Sequence, residues 1–165
     1  MTEQPRPDID MLSKCVEQAL QLTRQHGASA AEASANFRAG LSVTARLRAV
    51  ETLEYHRDQG LGVTVFFGQR KGNASTSDLS TAAIEETVRR ACGLAQFTAE
   101  DECAGLADAQ RLATEIADLD LYHPWSVEPH QAIDIAIECE AAALDSDKRI
   151  GNSEGATLST SSGCS

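Results

Sequence analysis

Aromatic side chains are scarce in this chain. They make up 4% of its 165 residues, with a single Trp. A core without many rings has to be filled by Ala, Leu, Ile and Val, and the 42% of apolar residues suffices for an ordinary globular interior. Cations are scarce too: Lys and Arg number 14 against 25 Asp and Glu, a formal net charge of -11. Affinity for nucleic acid rests on Lys and Arg displacing counterions from the phosphates, so direct nucleic-acid binding is not expected. The acids gather at Glu100-Asp101-Glu102, between Asp108 and Asp120, and at Asp145 and Asp147. They read as a solvated, solubilising face.

Long apolar runs are missing as well. Met1 to Asp10 holds two prolines and several acids, so neither a signal peptide nor a membrane span is expected. The five cysteines are odd in number and contain no Cys-x-x-Cys spacing, which argues against a disulfide framework or a thiolate metal site. Cys15, Cys92 and Cys139 fall in helical apolar patterns and are expected to behave as small hydrophobes. Reduced thiols fit a cytoplasmic location.

The signatures of several catalytic chemistries are also lacking. None of the four histidines stands in a His-Glu-x-x-His pair. His123, Glu128 and His130 are close in sequence, but Pro124 and Pro129 keep them off a common helical face. There is no Gly-x-Ser-x-Gly elbow and no Walker loop, and Gly60-Leu61-Gly62 lacks the third glycine of a dinucleotide fingerprint. Glu138 and Glu140 are placed on a helix surface, with no carboxylate pair set for acid-base work. The chain therefore offers no catalytic residue and no metal ligand.

What is present is a regular alternation of elements. The length fits one domain, residues 1–165, which can bury roughly 70% of its unfolded surface. After a polar tail, Met1 to Pro7, Asp8 or Asp10 can cap a helix whose face is Leu12, Val16, Ala19, Leu20 and Thr23, ending at His26-Gly27. From Ala31 to Leu47 apolar residues fall on odd positions, with Glu32, Ser34, Asn36 and Arg38 between them, the period of a half-buried strand. Gly40 interrupts it and suggests a bulge, a bend or a tight connection. A further strand spans Val50 to His56. Ser80 to Phe97 is a second helix, with Ile84, Val88, Ala91 and Ala95 at helical spacing. Thr98 to Trp125 has no sustained period, and Tyr122 and Trp125 are expected to pin this long connection to the body. Pro129 opens a third helix with Ile133, Ala136, Ile137, Glu140, Ala141 and Leu144 on its face. A turn at Asn152-Ser153-Glu154-Gly155 then leads to a strand, Ala156 to Thr160, and a serine-rich end of little information.

The most informative stretch is Arg57 to Ser80. Val63 to Phe67 is a β-branched and aromatic run too short for a helix, Gly68 to Gly72 is expected to close a hairpin with Gln69, Arg70 and Lys71 at its tip, and Asn73 to Ser77 is the return strand. Asp78 or Ser80 offers the cap of the helix that follows. Short links between successive strands require mostly antiparallel pairing. The fold expected is α+β, a curled, mostly antiparallel sheet with about three helices packed against it.

Arg57-Asp58-x-Gly60-Leu61-Gly62-Val63, the Gly68 to Gly72 hairpin, Ala74-Ser75-Thr76-Ser77-Asp78-Leu79-Ser80 and, near the end, Asn152-Ser153-Glu154-Gly155-Ala156 together resemble the amino-terminal domain of the TldD/PmbA (TldE) family. The resemblance is closer to the PmbA/TldE branch and runs from the first helix to the last residues. It implies a module of a heterodimeric metallopeptidase that processes or degrades peptides, with modulation of DNA gyrase as an indirect link. It also implies that zinc belongs to a TldD-like partner, in a carboxy-terminal part beyond the residues present here. The partners implied are a TldD-like subunit, or a second copy in a homodimer, and an unfolded peptide. Ser75, Thr76, Ser77, Asn152 and Glu154 are the candidates for peptide or subunit contact, because small polar side chains beside an exposed edge permit strand addition. Two other readings compete: a stand-alone interaction protein using its acidic face and the Tyr122 to Trp125 loop, and a truncated reading frame without activity of its own.

Overall fold

The chain's architecture is taken from a computed structural model that describes residues 8–165. The proline-bearing tail, Met1 to Pro7, lies outside the described residues. In chain order the elements are α1 (Ile9–Gln25), β1 (Ala30–Arg46), β2 (Ala49–Phe67), β3 (Arg70–Thr76), α2 (Thr81–Phe97), a single 3-10 turn (Ala109–Arg111), α3 (Pro129–Asp145) and β4 (Ala156–Cys164). The four strands form one open antiparallel sheet in the order β3-β2-β1-β4. With three α-helices among the described residues, the fold is α+β, as the periodicities require. None of these helices is long and apolar enough to cross a membrane.

Contacts divide the chain into two compact units. One comprises residues 8–37, Asp58–Leu119 and Cys164–Ser165; it is called here the helical unit. The other comprises Arg38–Arg57 and Asp120–Gly163, and is called the hairpin unit.

In the helical unit, Asp8 rather than Asp10 caps α1, its Oδ1 accepting the Met11 amide at 2.9 Å. Leu12, Cys15, Ala19 and Thr23 form the buried face of α1. Ser80 caps α2 through its Oγ and the Ala83 amide, while Asp78 accepts the Ser80 amide at 2.9 Å. Helix α2 lies against α1 and β3, burying Ile84, Val88, Ala91, Cys92 and Ala95, while Leu61, Val63 and Val65 are the buried positions of β2. Each of the larger of these side chains contributes about 1.5–3 kcal/mol by leaving water.

The β2–β3 hairpin is tighter than the sequence suggests. Phe67 already pairs with Arg70, so the turn is Gly68-Gln69 alone, and β3 ends at Thr76, leaving Ser77 outside it. Gly68 takes φ 61, the left-handed conformation a two-residue hairpin asks of its first position. Gly72 is not a turn residue. A Cβ there would run into the Ala91 carbonyl oxygen and the Ala95 amide nitrogen, so its missing side chain is what lets α2 settle on β3.

In the hairpin unit, Leu41, Val43 and Ala45 of β1 pack with Val127, Ala132 and Ala136, and Ile133, Ile137 and Leu158 close the cluster. Hydroxyl pairs Ser42–Ser159 (3.0 Å) and Thr44–Thr157 (2.9 Å) line up β1 with β4. β1 continues through Gly40 without a break. A side chain at that position would collide with the Thr160 carbonyl and the His56 ring, so close packing, not a connection, explains this glycine.

Several further expectations are corrected. β2 is one strand of 19 residues that joins Val50 to His56 and Val63 to Phe67, which the sequence suggests as separate strands. Polar residues at 57–60 do not end a strand whose ladder hydrogen bonds are made by its backbone. β4 reaches Cys164, so the serine-rich end is part of the sheet. Tyr122 and Trp125 do not pin the loop: they are 46% and 55% exposed, and Val127 at 9% takes the anchoring position. Cys139 is exposed on α3, whereas Cys15 and Cys92 are buried as expected.

Candidate functional site

The helical unit carries a polar trough on its sheet, with a cavity volume of about 480 Å³. Its lining includes Glu32 and Ser34 of β1, Gly62 and Thr64 of β2, and Asn73 and Ser75 of β3. The register explains the shape. Gly62 stands opposite Ser75 and Thr64 opposite Asn73 in the β2–β3 pair, and a Cβ built on Gly62 would lie 3.7 Å from Ser34 Oγ. The middle strand therefore has no side chain where its two neighbours carry serines, and the sheet surface dips along that row. Strand alternation puts Leu61, Val63 and Val65 on the buried side and these polar positions on the other. Glu32 is the one ionisable group among the lining residues. Among the described residues β3 is also an edge strand, whose outer row of backbone groups is free of a sheet neighbour.

Of the residues singled out in the sequence, Ser75 lines this trough. Thr76 is engaged locally: its Oγ1 accepts the Asp78 amide at 3.1 Å. Ser77 sits in the link to α2, its carbonyl accepting from the Gln59 side-chain amide at 3.5 Å. Asn152 and Glu154 are exposed residues of the hairpin unit and do not line the trough. Glu32, Ser34, Gly62 and Thr64 were not anticipated. The alternation from Ala31 to Leu47 did set Glu32 and Ser34 on one face, but only strand pairing reveals that Gly62 lies between them and Ser75.

The hairpin unit contains a second polar constellation around Glu140. This residue, expected on a helix surface, is 2% exposed. Its carboxylate accepts the backbone amides of Leu47 at 2.7 Å and Arg48 at 2.8 Å, together with a short hydrogen bond from the Ser153 hydroxyl. Leu47 and Arg48 form the β1–β2 turn with φ 50 and φ 63, a left-handed pair that neither residue type favours. The paired amides make a small anion-binding nest that Glu140 fills. The Ser153 hydroxyl first, and then the Arg48 and Leu47 amides and the Arg48 charge, hold the Glu140 carboxyl below the usual carboxylate range. Ser153 Oγ in turn accepts the Gly155 amide at 3.1 Å, and Arg46 Nε donates to the Ser153 carbonyl at 3.1 Å. The Asn152-Ser153-Glu154-Gly155 motif thus acts in this unit through Ser153. Arg48 also pairs with Asp145 at 2.6 Å, an ion pair open to solvent.

The family model for PmbA/TldA metallopeptidase domain 1 matches residues 31–95. A metalloprotease PmbA homolog from Haemophilus influenzae is 43% identical over 152 residues, covering 92% of this chain and 34% of that protein. Metalloprotease PmbA from Escherichia coli O157:H7 is likewise 43% identical over 150 residues, covering 91% of this chain and 33% of its own length. In fold, a candidate modulator of DNA gyrase from Bacteroides thetaiotaomicron superposes with TM-score 0.76 at 24% identity, covering 95% of this chain and 35% of that one. The chain spans about a third of the length of the curated relatives it matches. The metal that the word metallopeptidase implies does not fit the residues at hand, because among the described residues no group of three His, Cys, Asp or Glu is placed to hold an ion. By its sequence motifs, its matched sheet and α2, and these relatives, the chain belongs to the PmbA/TldD metallopeptidase family, through its amino-terminal domain and on the PmbA/TldE side.

Proposed function

We propose that this chain is the substrate-holding and assembly domain of a PmbA/TldE-like subunit in a peptide-processing metallopeptidase of the TldD/TldE type, without hydrolytic activity of its own. The observation that carries the reading is the polar trough between Ser34 and Ser75. Its volume is in the range of ligand sites, roughly 300–1,000 Å³. Beside Ala33, Val63 and Ala74, its lining of three hydroxyls, the Asn73 amide, the Glu32 carboxylate and a bare glycine suits the backbone of an extended peptide better than a flat apolar ligand, because each small polar group can pair with a peptide N–H or C=O.

In this reading zinc and the reacting groups come from a TldD-like subunit, and the chain works inside the cytoplasm on unfolded peptides. A second copy of the chain is the alternative partner. The exposed Tyr122 and Trp125 suit assembly, since aromatic side chains concentrate binding energy at protein interfaces. Thr76, Ser77, Asn152 and Glu154 remain candidates for subunit contact.

The test is co-purification of the chain with a TldD-like subunit, followed by a peptide-cleavage assay with and without chelator. Chelator-sensitive cleavage by the pair and none by the chain alone is the expected result. Zinc-dependent cleavage by the purified chain alone overturns the non-catalytic assignment, and stable binding to other proteins but to no TldD-like subunit favours a stand-alone interaction protein.

A further inference from the structure

Glu32 stands out among the residues of the trough. It is its sole ionisable lining group, among the described residues no ion pair or hydrogen bond holds its carboxylate, and the other polar lining groups, Ser34, Thr64, Asn73 and Ser75, are neutral. A peptide laid along the dip at Gly62 therefore meets one fixed negative charge and no lining cation. Lys71 lies on the same side of β3, two residues before Asn73, but outside the lining.

We infer that Glu32 gives the trough a preference for extended peptide segments that carry a basic side chain, Lys or Arg, next to the segment seated over Gly62. This rests on the peptide-holding reading above. A neutral, hydroxyl-rich floor takes any peptide backbone, so the sequence choice falls to the one charged wall. Glu32 is exposed, so the pair it forms with a bound cation is solvated and modest. The long chain net charge of -11 adds a general attraction for basic peptides, which high salt screens, whereas the local contact at Glu32 depends on that residue alone.

The experiment measures binding of three fluorescent, unstructured decapeptides to the full chain by anisotropy. They are alike except for a central Lys, Gln or Glu, and each is run at about 0.05 M and about 0.3 M salt. Proteins compared are the wild type, Glu32→Gln and Ser75→Trp. The Lys peptide should bind about three- to fivefold tighter than the Gln peptide, in line with one exposed ion pair. Glu32→Gln should abolish that ranking at about 0.3 M salt and narrow it at about 0.05 M, where the general attraction of the acidic chain persists, and Ser75→Trp should weaken all three. Equal binding of the three peptides, a ranking unchanged in Glu32→Gln, or preference for the Glu peptide overturns the role of Glu32 and leaves the peptide-holding reading intact. Absence of binding by every peptide at both salts overturns the peptide-holding reading and this inference with it.

Discussion

The Glu140 carboxylate and the backbone of Arg48 form one rigid link: Oε2 accepts the Arg48 amide at 2.8 Å, and Oε1 accepts that of the preceding Leu47 at 2.7 Å. One helical residue thereby fixes a turn made of two left-handed, non-glycine residues, φ 50 and φ 63. The turn conformation is costly for Leu and Arg, and it persists because a buried acceptor rewards it.

Replacing Glu140 with Gln keeps the volume but turns one acceptor oxygen into a donor facing an N–H or the Ser153 hydroxyl. Glu140→Gln is expected to lower the thermal midpoint by roughly 5 °C or more, the scale of a lost buried hydrogen-bond network in a chain of this size. Differential scanning calorimetry checks it; an unchanged midpoint would mean the turn holds itself.

The same carboxyl predicts a pH dependence. Its folded pKa lies below its unfolded value, chiefly through the Ser153 hydroxyl, so its stabilisation is present above the unfolded value of about 4.3 and fades as pH falls through the lower folded one. Urea midpoints should hold down to about pH 5 and fall below it. Asp78, Glu86 and Asp147 are shifted in the same direction, so Glu140→Gln should flatten this acid limb without removing it.

Two glycines near α2 should respond oppositely to alanine. At Gly72 the new Cβ meets the backbone of α2, and Gly72→Ala is expected to cost about 1–3 kcal/mol. At Gly93, inside α2, nothing lies within 4 Å of the added Cβ, and Gly93→Ala should stabilise by about 0.5–1 kcal/mol. Chemical denaturation of the two variants separates close packing from helix propensity.

Thiol labelling should divide the cysteines. Cys103 and Cys139 are exposed and should react with a maleimide in the native state, while Cys15 and Cys92 are buried, with burial pushing the Cys92 thiol pKa up. Mass spectrometry before and after unfolding reads the pattern. Native labelling of Cys92 would show that α2 lifts from the sheet.

Gly62→Leu should separate folding from binding. A Cβ at this position is in ordinary contact with Ser34, so the strand accepts a side chain, and the leucine then fills the dip. Unchanged thermal stability with about tenfold or greater loss of peptide affinity is expected from such a steric block. Retained affinity would place the peptide elsewhere.

The sequence was most legible where one local rule operates. The odd-position run from Ala31 to Leu47 became β1, the helical spacing of Ile84, Val88, Ala91 and Ala95 became α2, and Ser80 became its cap. It was least legible where distant residues decide. Gly72 reads as a loop glycine because local patterns do not show α2 crossing above it, and Glu140 reads as a surface residue because nothing nearby reveals the amides of residues 47 and 48. Cys139 and Trp125 show the reverse error: apolar character suggested burial, yet the packed positions beside them were filled by Ala136 and Val127.

The sequence by itself determined the α+β class, the antiparallel pairing forced by short links, the acidic surface and the family, through motifs whose spacing survives without a structure. Only the tertiary structure decided which of the polar residues share a site. Ser34, Gly62 and Ser75 come from three strands, and the trough exists because the register of β2 against β3 sets a glycine opposite a serine, a relationship between positions that no single stretch of chain contains.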